Sequence, residues 1–373
     1  MTKKQVLRAI AFFMCVAIMV VVLCDLFEET NQKNSSQRFY RYRTLEENTI
    51  DAVMVGTSGT DRYWIPSQAY EKYGMTVYPL SSNSMPVFLY TQLIEEALAY
   101  QSPELIVIDI RPFTQDNVSA NRMDTKARML LDALTPFSVN RIKAGIETIQ
   151  AIRSVDPTQS QFDLSFFFSV IKFHTKWSAD SYSIKDNLGE VKHKYMGFHV
   201  SKSVTIKQTP LDPQPIDLDQ TLELDALSEK YLYDLFDYIR EKDLNVLFID
   251  TPQVRNATDV GRSNRIYQIV EEEGFDCLHF YNESAPNGIT IDFDYETEFY
   301  NTGHTNYYGA IRFTDVLAEY YHENYNFPDH RNDENVKKDW DDVQETLEKR
   351  IAKLEKDKAS EVVDNTVILD EDE

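Results

Sequence analysis

Apolar residues form three kinds of pattern along the chain. An unbroken apolar run covers Ala9–Cys24. Between about residues 49 and 325, short apolar runs typical of buried strands alternate with stretches in which apolar residues recur every three or four positions, as in amphipathic helices. A last helical pattern lies in an acidic segment over 326–373. These changes of pattern divide the chain into segments, each of which has its own predicted structure.

The first pattern predicts a transmembrane anchor over 5–25, because about 20 apolar residues cross a bilayer as a helix. Basic residues precede or open this run, and Asp25, Glu28 and Glu29 follow it. The positive-inside rule then places residues 1–4 in the cytoplasm and the rest of a single-pass protein outside, at the cell surface. A cleaved signal peptide is the alternative, but no small-x-small cleavage site follows the run.

The polar segment 26–48 is expected to be a stalk, and an α/β domain is expected over 49–325. Apolar runs predict strands at Ala52–Val55, Met75–Leu80, Leu105–Ile110, Asn245–Asp250 and Cys277–Tyr281. Helical patterns lie at about 86–100, 225–241, 260–273 and 307–321. Strands that alternate with helices at this spacing indicate a parallel sheet in a three-layer α/β/α fold.

The alternation stops between about 114 and 220, where helical pieces are predicted around 126–134, 139–153 and 162–173. We interpret this region as a helical insertion packed near the mouth of the site, as a lid.

The tail after residue 326 predicts one amphipathic helix, from apolar residues at Val336, Trp340, Val343, Leu347, Ile351 and Leu354. Residues 332–373 carry 15 acidic and 7 basic side chains, a net charge of −8. The helix can dock on the domain or on a partner. A solvated helix with a disordered acidic end is the alternative.

Composition narrows the choice of ligands. The formal net charge of −23 repels nucleic acid and anionic lipid head groups, whereas cations and neutral sugars remain acceptable. Of three cysteines, Cys15 and Cys24 lie in the apolar run, so Cys277 is alone in the folded part. A disulfide within the domain and a zinc-type cysteine cluster are therefore excluded, and we expect neither a cofactor nor a metal.

The segment Gly56-Thr57-Ser58 directly follows the first predicted strand. Ligands of open parallel sheets bind at the carboxyl ends of the strands, so Ser58 is well placed to act on one. Alternatively, Thr57 and Ser58 begin a turn and cap the next helix.

A serine nucleophile needs a base, usually a histidine, and usually a third group that orients that histidine. The candidate base is His304, in the predicted loop Phe299–Asn306 after the last strand. That loop returns to the same edge of the sheet as Ser58. A surface or structural role is the alternative for an isolated loop histidine.

These two motifs resemble those of the SGNH (GDSL-type) hydrolase superfamily. Gly56-Thr57-Ser58-Gly59 is similar to its nucleophile block, and Tyr300–Ala310 to its closing Asp-x-x-His block. The chain resembles the extracytoplasmic branch that includes the teichoic acid D-alanyl transfer protein and the alginate O-acetylation proteins. The resemblance covers about residues 50–323 and implies a flavodoxin-like sheet.

The resemblance also implies a function. It points to an extracytoplasmic O-acyltransferase or esterase that acts on an acylated cell-envelope or secreted polysaccharide. Ser58 would form an acyl-serine intermediate, and His304 would serve as base and then as acid. Relatives often work beside a membrane-bound O-acyltransferase, which is therefore an expected partner.

Two departures from the family pattern concern the site. The acid of the Asp-x-x-His block falls on Asn301, an amide that can orient His304 but cannot stabilise its cation by charge. Acids of the preceding segment are alternatives, namely Asp292, Asp294, Glu296 and Glu298. A backbone carbonyl is a further alternative. Asn301 favours a rival interpretation, a catalytically lapsed module that binds glycan or scaffolds an acyltransferase, whereas Ser58 and His304 favour the enzyme.

The second departure is that Asp109-Ile110-Arg111 stands where the family has a Gly-x-Asn-Asp block. Arg111 is then a candidate oxyanion donor, together with Ser82 or Asn83 after the second strand. A salt bridge between Arg111 and Asp109 or another nearby acid is an equal alternative.

Overall fold

A computed structural model describes residues 1–27, 33–158, 163–178, 192–200, 217–253, 256–280 and 287–369. Five parallel strands form one sheet within these ranges: β1 Ala52–Gly56, β2 Val77–Ser81, β3 Leu105–Asp109, β4 Val246–Asp250 and β5 Cys277–His279. Their spatial order is β2-β1-β3-β4-β5. Nearly every strand residue is buried, which explains the continuous apolar runs in the sequence. The predicted strands are thereby confirmed to within two residues where the structure describes them.

Helices precede, separate and follow these strands. They are α1 Lys3–Leu26, α2 Lys33–Arg43, α3 Ser58–Asp61, α4 Pro66–Tyr73, α5 Tyr90–Leu98, α6 Ala120–Leu131, α7 Val139–Val155, α8 Ser169–Phe173, α9 Ala226–Lys242, α10 Ala257–Glu272, α11 Tyr307–Asn324, α12 Glu334–Trp340 and α13 Val343–Leu369. Two short strands, β6 Phe299–Asn301 and β7 His304–Thr305, form a separate antiparallel pair.

Helix α1 is long and apolar enough to cross a membrane, with a mean hydropathy of 2.8 in its most apolar window. That window is not buried against the rest of the chain, so α1 is not a core helix. The helix begins at a capping box formed by Thr2 and Gln5.

Alternate residues of the central strand β1 contribute to two apolar clusters. Val53 and Val55 belong to the larger cluster, which includes α5, α9 and α10. Ala52 and Met54 belong to a second cluster, which includes α11. Odd- and even-numbered residues of β1 therefore both pack against helices, as expected of a buried parallel sheet.

The segment expected to be a stalk is instead part of the domain over residues 33–45. Helix α2 buries Phe39 and Tyr42 completely in the larger cluster. The guanidinium of Arg38 is also fully buried. Charged residues are rarely buried without partners, so a segment that mixes arginine with tyrosine was expected to be exposed to solvent.

The predicted insertion is helical over its first half, as expected. Helices α6 and α7 bury Met123, Leu130 and Ala144 in the same cluster as β3. These two helices therefore contribute to the core, and the expectation that the insertion acts as a lid stays a prediction. Residues 179–191 and 201–216 of the predicted insertion lie outside the described residues.

The acidic tail docks on the domain, which is one of the alternatives left open by the sequence. Trp340 packs against Tyr70 of α4 with ring centroids 5.4 Å apart. Leu347 and Ile351 lie in a small apolar cluster with Ile65. The single predicted helix was wrong, because α12 ends at Trp340 and α13 begins at Val343.

Candidate active site

Ser58 lies at the first position of α3, immediately beyond the carboxyl end of β1. Thr57 is the N-cap of this short helix, and its Oγ1 accepts a hydrogen bond from the Gly59 N–H at 3.1 Å. The capping role therefore belongs to Thr57. Ser58 is half-buried, and its hydroxyl is available for a different partner.

Two glycines allow the end of β3 to approach this turn closely. A Cβ at Gly56 would lie 2.6 Å from Cβ of Asp109. A Cβ at Gly59 would lie 2.6 Å from both Nη1 of Arg111 and Oγ1 of Thr251. A side chain at Gly56 would clash with Asp109 at the end of β3, and one at Gly59 would displace the side chains of Arg111 and Thr251, so both positions favour glycine.

His304 lies on a tight hairpin, where the sequence predicted a loop. It is the first residue of β7, which pairs with β6 through Asn301. Tyr63, just after α3, donates from its hydroxyl to the Gly303 carbonyl at 3.2 Å. Thr305 Oγ1 donates to the Arg62 carbonyl at 3.0 Å. These bonds tie the histidine hairpin to the segment that carries Ser58.

The structure brings Ser58, His304 and Asn301 together in one hydrogen-bonded line. Oγ of Ser58 lies 2.7 Å from Nε2 of His304, and Nδ1 of His304 lies 2.9 Å from Oδ1 of Asn301. These are hydrogen-bond distances, so the sequence-predicted pairing of Ser58 with His304 is present in the fold.

The tautomer of His304 follows from the same contacts. The Gly303 N–H donates to Oδ1 of Asn301 at 2.9 Å, and a main-chain N–H can only donate. The amide oxygen therefore faces Nδ1 of His304, which must carry the proton. Nε2 is left as an acceptor and accepts a hydrogen bond from the hydroxyl of Ser58. This is the arrangement that a serine nucleophile requires of its base.

The pKa of His304 is lowered to about 3, first by burial and then by the positive charges of Arg111 and Arg62. The negative charge of Asp61 opposes this shift, but Asp61 is buried in an ion pair with Arg38. The imidazole is consequently neutral at physiological pH. It can accept a proton, although its cation is poorly stabilised.

The alternative acids of the preceding segment do not replace Asn301. Asp294 accepts hydrogen bonds from Thr297 and from the Glu296 N–H. Glu298 forms a two-pronged ion pair with Arg312 on α11. The contact to Nδ1 of His304 comes from Asn301. This is the position at which the Asp-x-x-His pattern has its acid.

Arg111 braces the histidine hairpin. Its Nη2 donates to the Gly303 carbonyl at 2.9 Å, one residue before His304. Its main-chain N–H donates to Oδ1 of Asp109 at 3.2 Å. Burial raises the pKa of Asp109 to about 6, against the lowering effect of Arg111. Nη2 of Arg111 is thereby occupied in holding the hairpin, whereas Nη1 has only a long contact of 3.5 Å to Oγ1 of Thr251.

Ser82 and Asn83 follow β2, which neighbours β1, so they lie at the same sheet edge as Ser58. The Ser82 N–H donates to the Gly56 carbonyl at 3.2 Å. Oγ of Ser82 is buried and lacks a hydrogen-bond partner in the described part of the chain. Asn83 is half-buried. No hydrogen bond joins either side chain to Ser58 or His304 among the described residues.

Sequence reasoning missed the buried ion pair beneath this turn. Arg38 of α2 pairs with Asp61 of α3, and it also donates to the main-chain carbonyls of Ser81 at 2.6 Å and Gly197 at 2.8 Å. Burial raises the pKa of Asp61, but Arg38 and His199 outweigh this effect and lower it. The position of Asp61 three residues after Ser58 is the only local feature of the sequence that hinted at a charged group next to the site.

No protein-family model matches the chain, and a comparison with curated protein sequences finds no match. Within the described ranges, no group of three or more His, Cys, Asp and Glu side chains is placed to hold a metal ion. The functional argument therefore depends on the geometry of Ser58, His304 and Asn301.

Proposed function

We propose that the chain is a serine-dependent esterase or O-acyltransferase that works through an acyl-serine intermediate. The observation that carries the proposal is the line from Oγ of Ser58 to Nε2 of His304 at 2.7 Å, with Nδ1 held by Asn301 at 2.9 Å. A hydroxyl and a neutral imidazole at this distance form the minimal unit for activating a serine.

In the proposed reaction, Oγ of Ser58 attacks the carbonyl carbon of an ester while its proton passes to Nε2 of His304. The tetrahedral oxyanion then collapses, and the leaving alkoxide takes the proton from His304. The acyl group remains on Ser58. Water or a sugar hydroxyl then attacks the acyl-serine while His304 takes its proton, and His304 returns that proton to Oγ of Ser58 as the product leaves. Water gives hydrolysis, and a sugar hydroxyl gives transfer. Candidate oxyanion donors are the Ser58 N–H and the side chains of Asn83, Ser82 and Arg111.

The position of the site in the sheet supports a role in ligand chemistry. The strand order reverses direction between β1 and β3, and Ser58 and Arg111 follow these two strands. Ligands of open α/β sheets bind at such a switch point. We infer a three-layer, flavodoxin-like arrangement of the SGNH type, since 2-1-3-4-5 is the strand order of that architecture.

The proposed substrate is an acylated polysaccharide of the cell envelope. Helix α1, with basic residues before its apolar run and acidic residues after it, would anchor the domain outside the cytoplasm. A net charge of −23 is compatible with a neutral glycan. A membrane-bound O-acyltransferase is the proposed source of acyl groups.

One observation favours a second candidate function, a catalytically lapsed module that binds glycan or scaffolds an acyltransferase. The contact to Nδ1 of His304 comes from an amide, and the pKa of His304 is lowered to about 3. Both features weaken stabilisation of the imidazolium that forms during acyl transfer.

Labelling with a fluorophosphonate probe tests the proposal on the full chain in detergent. We expect the wild type to be labelled, and Ser58→Ala and His304→Ala to lose labelling. Ser102→Ala and His322→Gln are matched controls at exposed positions, and both should label like the wild type.

The absence of labelling in a folded wild-type protein would refute the esterase proposal and favour the binding module. Labelling that persists in Ser58→Ala would show that another nucleophile reacts. If Ser58 is labelled, intact-mass measurement of the acyl-enzyme with and without added glycan would separate transfer from hydrolysis.

A further inference from the structure

The outer face of α7 is apolar. Val139, Ile142 and Ile146 are 70%, 45% and 43% exposed. Their spacing of three and four residues puts them on one side of the helix, opposite the buried Ala144, Thr148 and Ala151. The inner face of α7 packs on the domain, whereas nothing in the described part of the chain covers its apolar outer face. Such an exposed apolar face marks an interaction site.

The apolar surface continues onto α8 and the turn after it. Phe137, 44% exposed, has its ring centroid 6.3 Å from that of Phe168, next to α8. Ile171 and Trp177 are 46% and 69% exposed. Ile171 also lines a cavity with Ile149 and Ile152, two isoleucines on the buried side of α7. We call Phe137, Val139, Ile142, Ile146, Ile171 and Trp177 the insertion face.

Helix α1 meets the protein beside this face. Oγ of Ser169, the first residue of α8, donates to the Cys24 carbonyl at 2.8 Å. Cys24 closes the apolar run of α1, where a membrane-spanning helix would leave the hydrocarbon. With α1 in a bilayer, α8 lies at the level of the lipid head groups, and Trp177 is within a few residues of it.

The charge of this region differs from that of the rest of the chain. Residues 118–178 contain eight lysines and arginines against five acids, a net charge of +3, in a chain of net charge −23. Lys143 is exposed, Lys172 is exposed and pairs with Asp124, and Arg153 is half-buried. Basic side chains around an apolar surface favour anionic lipid, with tryptophan at the interface.

We propose that the insertion face docks on the surface of the anionic bilayer that holds α1, so that the domain contacts the membrane at a second site. Three observations converge on a bilayer as the occupant: the exposed apolar residues, the local positive charge and the contact between α8 and the end of α1. Because salt screens charges more than about 10 Å away, the net charge of +3 in this segment is expected to count for more at this face than the overall charge.

The chain contains its own probe for this contact. Of its three tryptophans, Trp64 and Trp340 are buried, whereas Trp177 is exposed. We would reconstitute the full chain in vesicles of phosphatidylcholine and phosphatidylglycerol, with or without brominated phosphatidylcholine. Subtracting the emission of a Trp177→Phe variant isolates the signal of Trp177. We expect brominated lipid to remove most of that signal, and acrylamide in the water to quench it weakly.

A triple variant, Val139→Ser with Ile142→Ser and Ile146→Ser, separates docking from mere proximity to α1. It should restore Trp177 emission in brominated vesicles and increase quenching by acrylamide. Leu218→Ser with Tyr233→Ser, at exposed apolar positions outside the face, should leave both signals at wild-type values. Wild-type Trp177 that is quenched by acrylamide and not by brominated lipid would overturn the proposal. So would a triple variant with wild-type lipid quenching, because the tether alone would then explain it.

Discussion

At the residue scale, Asn301 performs one of the two tasks of a triad carboxylate. Its amide oxygen, oriented by the Gly303 N–H, fixes the tautomer of His304. It supplies no negative charge for the imidazolium. In a Ser-His-Asp triad, replacing Asp by Asn costs about 10⁴ in kcat through the wrong tautomer. Here the tautomer is already correct, so a smaller deficit is expected.

Asn301→Asp should accelerate the reaction of Ser58 with a fluorophosphonate. A carboxylate would keep the hydrogen bond to Nδ1 of His304 and add the missing charge. We expect the second-order rate of labelling to rise about tenfold or more, but by less than the roughly 10⁴-fold effect of exchanging Asp and Asn in a complete triad. Asn324→Asp, the same change at an exposed position, is the matched control. A rate equal to that of the wild type would show that charge does not limit this site.

The pH dependence of labelling should shift with the same substitution. Only neutral His304 can act as base, and its pKa is about 3, so the wild-type rate should be flat from neutral pH well into the acid range. A carboxylate at position 301 raises the pKa of His304, and the acid limb of the profile should therefore move to higher pH. A wild-type limb near pH 6.5 would contradict the buried, positively charged environment of His304.

At the element scale, α2 couples the N-terminal segment to the turn that carries Ser58. Arg38→Met would leave Asp61 buried and without its cation, which typically costs about 3–5 kcal/mol of unfolding free energy. Denaturation by urea, followed by the fluorescence of the buried Trp64 and Trp340 in a Trp177→Phe background, measures this loss.

Arg265→Met is the control for that experiment, because it removes a partly exposed ion pair with Glu229 and should cost far less. Arg38→Met with Asp61→Asn should recover part of the lost stability, since the unpaired charge is gone. Equal losses of unfolding free energy in Arg38→Met and Arg265→Met would mean that the buried ion pair matters no more for stability than the partly exposed one.

Elements with a regular apolar pattern were predictable, and elements held by long-range polar contacts were not. Strands β1 and β3 are buried on both faces, so their apolar runs could be recognised. Helix α2 was not recognised as part of the core, because Arg38 gains its partners from residues 23 to 159 positions away. The pairing of Ser58 with His304 was predictable from the topology of a parallel sheet. Asn301 was predicted from its place in the motif, but coordinates were needed to choose it over the acids of the preceding segment.

At the scale of the whole molecule, His330 joins the segment after α11 to the start of the sheet. Its Nε2 lies 2.9 Å from Oδ1 of Asp51, which precedes β1. The hydrogen bond to Asp51 raises the pKa of His330 against the opposing effect of burial. A raised pKa in the folded state means that the stabilisation is complete below the ordinary histidine pKa of about 6.5 and is lost as the pH rises through the raised value.

His330→Gln should accordingly reduce the free energy of unfolding more at pH 6 than at pH 9. Urea denaturation of both proteins at the two pH values checks this prediction, and His322→Gln provides an exposed control. A loss of the same size at both pH values would exclude the charged pair as the source of stability.

The short connection between α1 and α2 limits how far the site can travel. Helix α1 ends at Leu26 and α2 begins at Lys33, so at most seven peptide steps join them. Fully extended, these steps cover about 25 Å. Arg38 fixes α2 next to the turn of Ser58, so a domain anchored through α1 would keep this serine close to the bilayer. The proposed function then requires its substrate to come within a few nanometres of the lipid.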